Sequence, residues 1–140
     1  MIVDSSALVA ILRQEPDADR ITEALARSQR SVLSAGTYVE VGIVADSSPD
    51  PVLGRRLDEL LHALEIGIEP VTEQQAVVAR RAYRDFGRGS GHPARLNYGD
   101  CFAYALAQTT GEPLLFKGDD FTRTDLRPAL PLERGALRTW

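Results

Sequence analysis

The chain opens Met1-Ile2-Val3-Asp4-Ser5-Ser6-Ala7-Leu8-Val9-Ala10-Ile11-Leu12, and the reading of this stretch decides the fold. Ile2 and Val3 begin a strand, Ser5 and Ser6 can cap a helix that Ala7 to Leu12 continue, and Asp4 falls at the junction. In an open α/β sheet the working crevice lies beyond the carboxyl ends of the strands, so a carboxylate at such a junction points into it. The plainer reading is that Asp4 only caps the helix.

Working outward, the strand-then-helix pattern recurs. Pro16 to Gln29 reads as a helix, Ser31 to Ser34 as a strand, and Ser34 as the cap of a helix from Ala35 to about Asp46. Ser47-Ser48-Pro49-Asp50-Pro51 interrupts the chain, after which Leu53, Leu57, Leu60, Leu61 and Leu64 mark an amphipathic helix that stops before Gly67. Ile68 to Val71 is a third strand, and Thr72 and Gln75 have capping-box spacing ahead of a helix to about Phe86. Gly87 to Arg95, with three glycines and a proline, is a mobile surface loop. Asn97 caps a helix through Thr110, stopped by Gly111, whose residues are apolar on nearly every side, which implies burial at the centre of the fold. Leu114 to Phe116 is the last strand, Lys117 to Phe121 turns off its carboxyl end, and the tail from about Arg127 is expected to be mobile.

Four short strands alternating with helices predict a three-layer α/β/α fold around a short, mainly parallel sheet of four or five strands. A length of 140 residues, 44% of them apolar and 26% charged, suits a single domain over 1–140 with a core of its own. The one cysteine, Cys101, excludes an internal disulfide framework, and two scattered histidines, His62 and His92, argue against a zinc site, so any metal must be held by oxygen. The chain starts with neither a signal-like segment nor a long apolar run, so a cytoplasmic protein with no membrane association is expected.

Carboxylates fall where a purely structural sequence would seldom put them: Asp4 at a strand end, Glu40 between Val39 and Val41 and beside the apolar surface of Ile43 and Val44 on its helix, Asp100 in the first turn of the most apolar helix, and Asp119 and Asp120 after the last strand. Each has a bland reading as cap, edge residue, helix-start acid or turn former. If the fold brings them together, they must protonate or be neutralised by a cation, and carboxylate oxygens favour Mg²⁺ or Mn²⁺. Such a centre polarises a phosphodiester and activates water, which is nuclease chemistry, and Ser6 can hold a ligating carboxylate in place. The net charge of −4 argues against a generic nucleic-acid binder, but its distribution is uneven. Arg80, Arg81, Arg84, Arg88 and Arg95 face a single acid, Asp85, and are interleaved with Tyr83 and Phe86, offering charge and stacking surface to a phosphate backbone. A solvated helix face beside a loop is the plainer meaning.

These residues resemble the PIN-domain ribonucleases, and among them the VapC toxins of VapBC toxin–antitoxin modules. The resemblance covers nearly the whole chain and rests on Met1 to Leu8, on Tyr38-Val39-Glu40, on Leu96-Asn97-Tyr98-Gly99-Asp100-Cys101, and on Pro113 to Phe121 followed by Thr124-Asp125-Leu126. It implies a PIN fold and a Mg²⁺- or Mn²⁺-dependent endoribonuclease with Asp4, Glu40 and Asp100 as its acidic core and metal ligands. Asp120 matches the family's Asp-Phe pair, while either Asp119 or Asp120 can face the metal. It further implies inhibition by a VapB-type antitoxin whose tail lies in a groove and reaches the acidic pocket, and assembly as a homodimer or a toxin–antitoxin hetero-oligomer. Two rivals remain: a non-catalytic PIN-like module that binds RNA or a partner, and an aspartyl phosphotransferase. The second is disfavoured by Ser6, which stands where an acid/base aspartate belongs.

Overall fold

Successive residues of a strand point to opposite faces of a sheet, and here that alternation divides the core in two. The computed structural model describes residues 1–131. Its elements are β1 (Ile2–Val3), α1 (Ser5–Leu12), α2 (Ala18–Arg27), β2 (Val32–Ser34), α3 (Ala35–Asp46), α4 (Val52–Ala63), β3 (Gly67–Glu69), α5 (Glu73–Phe86), α6 (Asp100–Thr110) and β4 (Leu114–Leu115). All strand pairs are parallel, in the order β3-β2-β1-β4, so the expected short sheet has four strands. Val3, Leu33 and Leu115 face a core closed by α1 to α4, whereas Ile2, Val32 and Leu114 face one closed by α5, α6 and the Ala94–Leu96 segment. Parallel strands buried on both faces read as apolar runs, as Ile2-Val3, Val32-Leu33 and Leu114-Leu115 do, and the buried Ser34 that ends β2 is the cap of α3.

The topology locates the crevice. From β1 the chain moves outward through β2 to β3, then crosses back to lay β4 on the other side of β1. That reversal is the switch point at which open α/β sheets place their sites, and it lies between the carboxyl ends of β1 and β4. The Asp4 amide donates to Leu115 at 2.9 Å, which ties the two ends together.

Several boundaries differ from the sequence reading, each for a local reason. The cap of α1 is Asp4 itself, whose side chain accepts from the Ser6 amide, and neither serine takes that place. Helix α2 spans Ala18–Arg27, with Pro16 and Gln29 outside it. Strand β3 begins at Gly67, whose amide donates to Ser31, and stops before Pro70, which has no N–H for the ladder. Gly67 therefore does not end α4. Glu65, at φ +51, makes the left-handed turn instead, and the Ile66 amide returns to Leu61. Thr72 and Ser34 cap α5 and α3 as expected, and Gly111, at φ +72, ends α6. Beyond the last turn, Arg127 and Ala129 pair their backbones with Leu114, so 127–129 lie against β4, and the Pro131 carbonyl accepts from Arg20; the expected tail from 132 on is outside the described residues. Among the described residues no helix is long and apolar enough to cross a membrane.

Candidate active site

Asp4 is 2% exposed at the carboxyl end of β1. Its Oδ2 accepts from the Ser6 amide at 3.1 Å and from Ser6 Oγ at 2.6 Å, and Ser6 Oγ in turn accepts from the Lys117 amide at 2.9 Å. Ser6 thus joins the ends of β1 and β4 behind the carboxylate. The other oxygen, Oδ1, is fully buried and has no hydrogen-bond partner. Burial pushes the Asp4 carboxyl up to about 6; the Ser6 bonds oppose the rise and the charge of Glu40 adds to it. Capping and site geometry are one arrangement here, since one oxygen serves the helix and the other is left without a protein donor.

Asp100 enters from the opposite side, 7% exposed in the first turn of α6. Asn97 and Asp100 form a reciprocal box: the Asn97 amide donates to Asp100 Oδ2 at 2.9 Å, and the Asp100 amide donates to Asn97 Oδ1 at 2.8 Å. Burial raises the Asp100 carboxyl to about 7, the Asn97 bond opposes this, and Asp4, Asp120 and Glu40 push it further up. Four carboxylates expected from sequence therefore share one electrostatic field.

Glu40 reaches that field by a route the sequence did not suggest. It was expected to stand out because Ile43 and Val44 beside it form apolar surface, but Ile43 is 61% exposed and Val44 is also exposed, so α3 buries only Thr37, Val41 and Ala45. What fixes Glu40 is local. Ser5 Oγ donates to its Oε1 at 2.6 Å, and its Oε2 lies against Gly99, where an added Cβ would stand 1.5 Å away. Gly99 has to be glycine for this carboxylate to lie at the start of α6.

Asp119 and Asp120 are both exposed. The Asp119 carbonyl accepts from the Thr122 amide and hydroxyl, so its backbone shapes the turn, while Asp120 is the neighbour whose charge reaches Asp100.

The arginines separate into two groups. Gly87 and Leu96 pair across the base of the loop, which brings Arg88 and Arg95 to its two ends, just before the Asp100 turn. Arg80, Arg81 and Arg84 lie exposed on α5. Phe86 contacts Tyr104 on α6, and Val78 and Ala82 share a small cavity with Tyr104 and Gln108, so α5 leads away from Asp100 as it runs back toward Arg80. Arg84 is already paired with Asp85 at 3.1 Å; among the described residues Arg80, Arg81, Arg88 and Arg95 make no ion pair. Phe86 is not a stacking surface, because His92 meets its ring edge-on at 4.9 Å and Tyr104 covers it at 5.8 Å.

The chemistry of the donor set fits a hard divalent cation. Asp4 Oδ1 is a buried acceptor without a donor, and among the described residues the second oxygens of Asp100 and Glu40 also carry no hydrogen bond. No three His, Cys, Asp or Glu side chains among the described residues form a ready metal cage, so this is a coupled set of oxygens rather than a closed shell. Lys117 is committed elsewhere, its ammonium paired with Glu15, so it offers no cation to these acids and no support to a phosphotransferase reading. Sequence reasoning gave Ser5 and Asn97 only as helix caps and missed Gly99, which holds the N-cap position of α6 that was expected for Asn97, while Asn97 reaches the Asp100 amide from two residues before Gly99. The Asn97-x-x-Asp100 spacing was a usable signal for a reciprocal box, whereas nothing in the sequence places Gly99 against Glu40.

Comparison with known proteins identifies the family and the fold. The family model described as PIN domain matches residues 1–126. Ribonuclease VapC28 of Mycobacterium tuberculosis is 58% identical over 130 residues, 93% of this chain and 98% of that one. Two solved structures share the fold: a toxin–antitoxin complex from Klebsiella pneumoniae, with TM-score 0.66 and 18% identity over 89% of this chain and 92% of that one, and Mycobacterium tuberculosis VapC20, a sarcin–ricin loop cleaving toxin, with TM-score 0.67 and 14% identity over 91% and 98%.

Proposed function

This chain belongs to the PIN-domain family as a VapC-type endoribonuclease, the toxin of a toxin–antitoxin system, and from that premise we propose that the acidic group between β1 and β4 is its reaction centre. The observation that carries the reading is the buried, unpartnered Oδ1 of Asp4 beside the coupled carboxylates of Asp100 and Glu40. Asp4, Asp100 and Glu40 would hold a divalent cation, Mg²⁺ or Mn²⁺, each having one oxygen without a hydrogen-bond donor among the described residues. The chemistry such an ion supplies when bound is Lewis acidity toward the phosphodiester and activation of water. The chain's own part is to fix geometry beforehand: Ser6, Asn97 and Ser5 each anchor one oxygen of one acid, so little reorganisation remains on binding. Asp120, at the exposed rim, adds charge to the same field, and Asp119 shapes the turn that carries it. Arg88 and Arg95 bind the RNA backbone nearest the centre, with the α5 arginines extending the track.

An antitoxin is the partner of such a toxin. A groove of about 340 Å³ between α1 and α4, lined by Ile11, Leu12, Leu60 and Ala63 with Arg56 and Glu59 at its rim, supports a seat for part of it. The exposed Val39, Ile43 and Val44 of α3 support self-association in the assembly.

The test is cleavage of a mixed pool of cellular RNAs by the chain freed of co-purified partners, in Mg²⁺, Mn²⁺ or EDTA, beside Asp4→Asn. Discrete products that require metal and fall about 1,000-fold in the variant, about 4 kcal/mol of transition-state stabilisation, are expected. Undiminished cleavage by Asp4→Asn would remove the centre from this site.

A further inference from the structure

Sequence assigned base stacking to Tyr83 and Phe86, and the fold packs Phe86 between His92 and Tyr104, half-buried against the core. The most exposed large apolar side chain among the described residues is a different one, Tyr98, at 76%. We propose that Tyr98 is a stacking platform for one unpaired nucleobase of the RNA, at the edge of the acidic centre. The proposal rests on the ribonuclease reading above.

Three features carry it. The ring is held: Tyr98 meets Phe102 at 5.1 Å with planes at 90°, and Phe102 lies over Gly36, where an added Cβ would come within 2.5 Å of its ring. In an edge-to-face pair, whichever ring supplies the edge, at least one face of Tyr98 stays open. Its place is the second feature. Helices α3 and α6 meet at Gly36 with Phe102 and at Glu40 with Gly99, so Tyr98 stands over the seam whose next turn holds Glu40, two residues before Asp100. The third is electrostatic need. A phosphodiester drawn toward Asp4, Glu40, Asp100 and Asp120 meets like charge, and the arginines are on α5 and the loop base. Stacking supplies affinity that this repulsion does not cancel and that salt does not screen. The Tyr98 hydroxyl makes no hydrogen bond among the described residues, so the fold does not use it.

The experiment is equilibrium binding, by fluorescence anisotropy in EDTA, of a labelled random-sequence single-stranded 20-mer RNA to the full chain across a salt series, with strands carrying 2-aminopurine reporting stacking by quenching. Tyr98→Ala is expected to weaken binding about 5- to 100-fold with the salt slope unchanged and the quenching lost, and Tyr98→Phe, which keeps the ring, to restore both. Circular dichroism and light scattering accompany each variant. Wild-type affinity and quenching in Tyr98→Ala would overturn the proposal, as would a change of oligomeric state in that variant with RNA binding intact, which assigns the ring to a protein contact. If the wild-type chain neither binds nor cuts RNA, the ribonuclease reading fails and the proposal with it; if it does both and Tyr98→Ala matches it, only the platform fails.

Discussion

The acids and the arginines of this molecule are built on opposite principles. Each carboxylate of the centre is fixed at one oxygen, Asp4 by Ser6, Asp100 by Asn97 and Glu40 by Ser5, and the two aspartates are nearly excluded from water. The arginines of α5 and the loop base are exposed, and of these five only Arg84 has an acid to hold it among the described residues. A buried charge has to be placed by specific partners because its desolvation is costly, whereas an exposed charge acts through a field that tolerates loose placement. Substitutions around the acids should therefore act steeply and through geometry, and those among the arginines gradually and through salt.

The steepest break in that contrast is Gly99→Ala. Its new methyl group would occupy the place of Glu40 Oε2, so Mn²⁺ affinity measured by calorimetry should fall about 10- to 100-fold although no ligand has been changed. Thermal stability lost in Gly99→Ala should return when Glu40→Ala is added, since the collision is then gone. A Gly99→Ala chain that binds Mn²⁺ like wild type would show that Glu40 is not held as described. Among the arginines, Arg88→Ala with Arg95→Ala should weaken RNA binding about 10-fold, or about 1.4 kcal/mol, and lower the salt slope by about 0.7 for each lost phosphate contact. The triple change of Arg80, Arg81 and Arg84 should cost less per residue, because α5 leads away from the centre and Arg84 is already paired. Equal losses per arginine would erase the division between loop base and helix.

The same contrast explains what the sequence made legible. The strand–helix alternation, the caps at Ser34 and Thr72 and the positions of Asp4 and Asp100 follow from local periodicity and capping chemistry, and the structure has them. Glu40 was singled out for the wrong reason: Ile43 and Val44, the apolar neighbours one turn on, face solvent, and its placement comes from Ser5 and Gly99, which are 35 residues before it and 59 after it in the chain. Contacts of that range leave no trace in a local pattern. Phe86 failed similarly, because an aromatic between arginines looks exposed until α6 and His92 are laid over it. The ends of β3 and α4 were misplaced for a smaller reason, a proline inside the expected strand and a left-handed glutamate where glycine was expected to serve.

The central claim is that Asp4, Asp100 and Glu40 form a field that is unfavourable alone and relieved by a divalent cation. Asp4 and Asp100 titrate near 3.8 when unfolded but at about 6 and about 7 when folded, so between roughly pH 4 and 7 the native state binds more protons. Without metal, stability should therefore fall as pH rises through that window and level off above it, by about 3 kcal/mol or more for shifts of this size. The most direct measurement is thermal unfolding at pH 5 and pH 8, with and without Mn²⁺, for the wild-type chain and Asp100→Asn. The account predicts that Mn²⁺ raises Tm strongly at pH 8 and little at pH 5, and that Asp100→Asn is more stable than wild type at pH 8 without metal and gains little from it. A wild-type Tm at pH 8 that ignores Mn²⁺, or an Asp100→Asn chain that responds as fully as wild type, would contradict it.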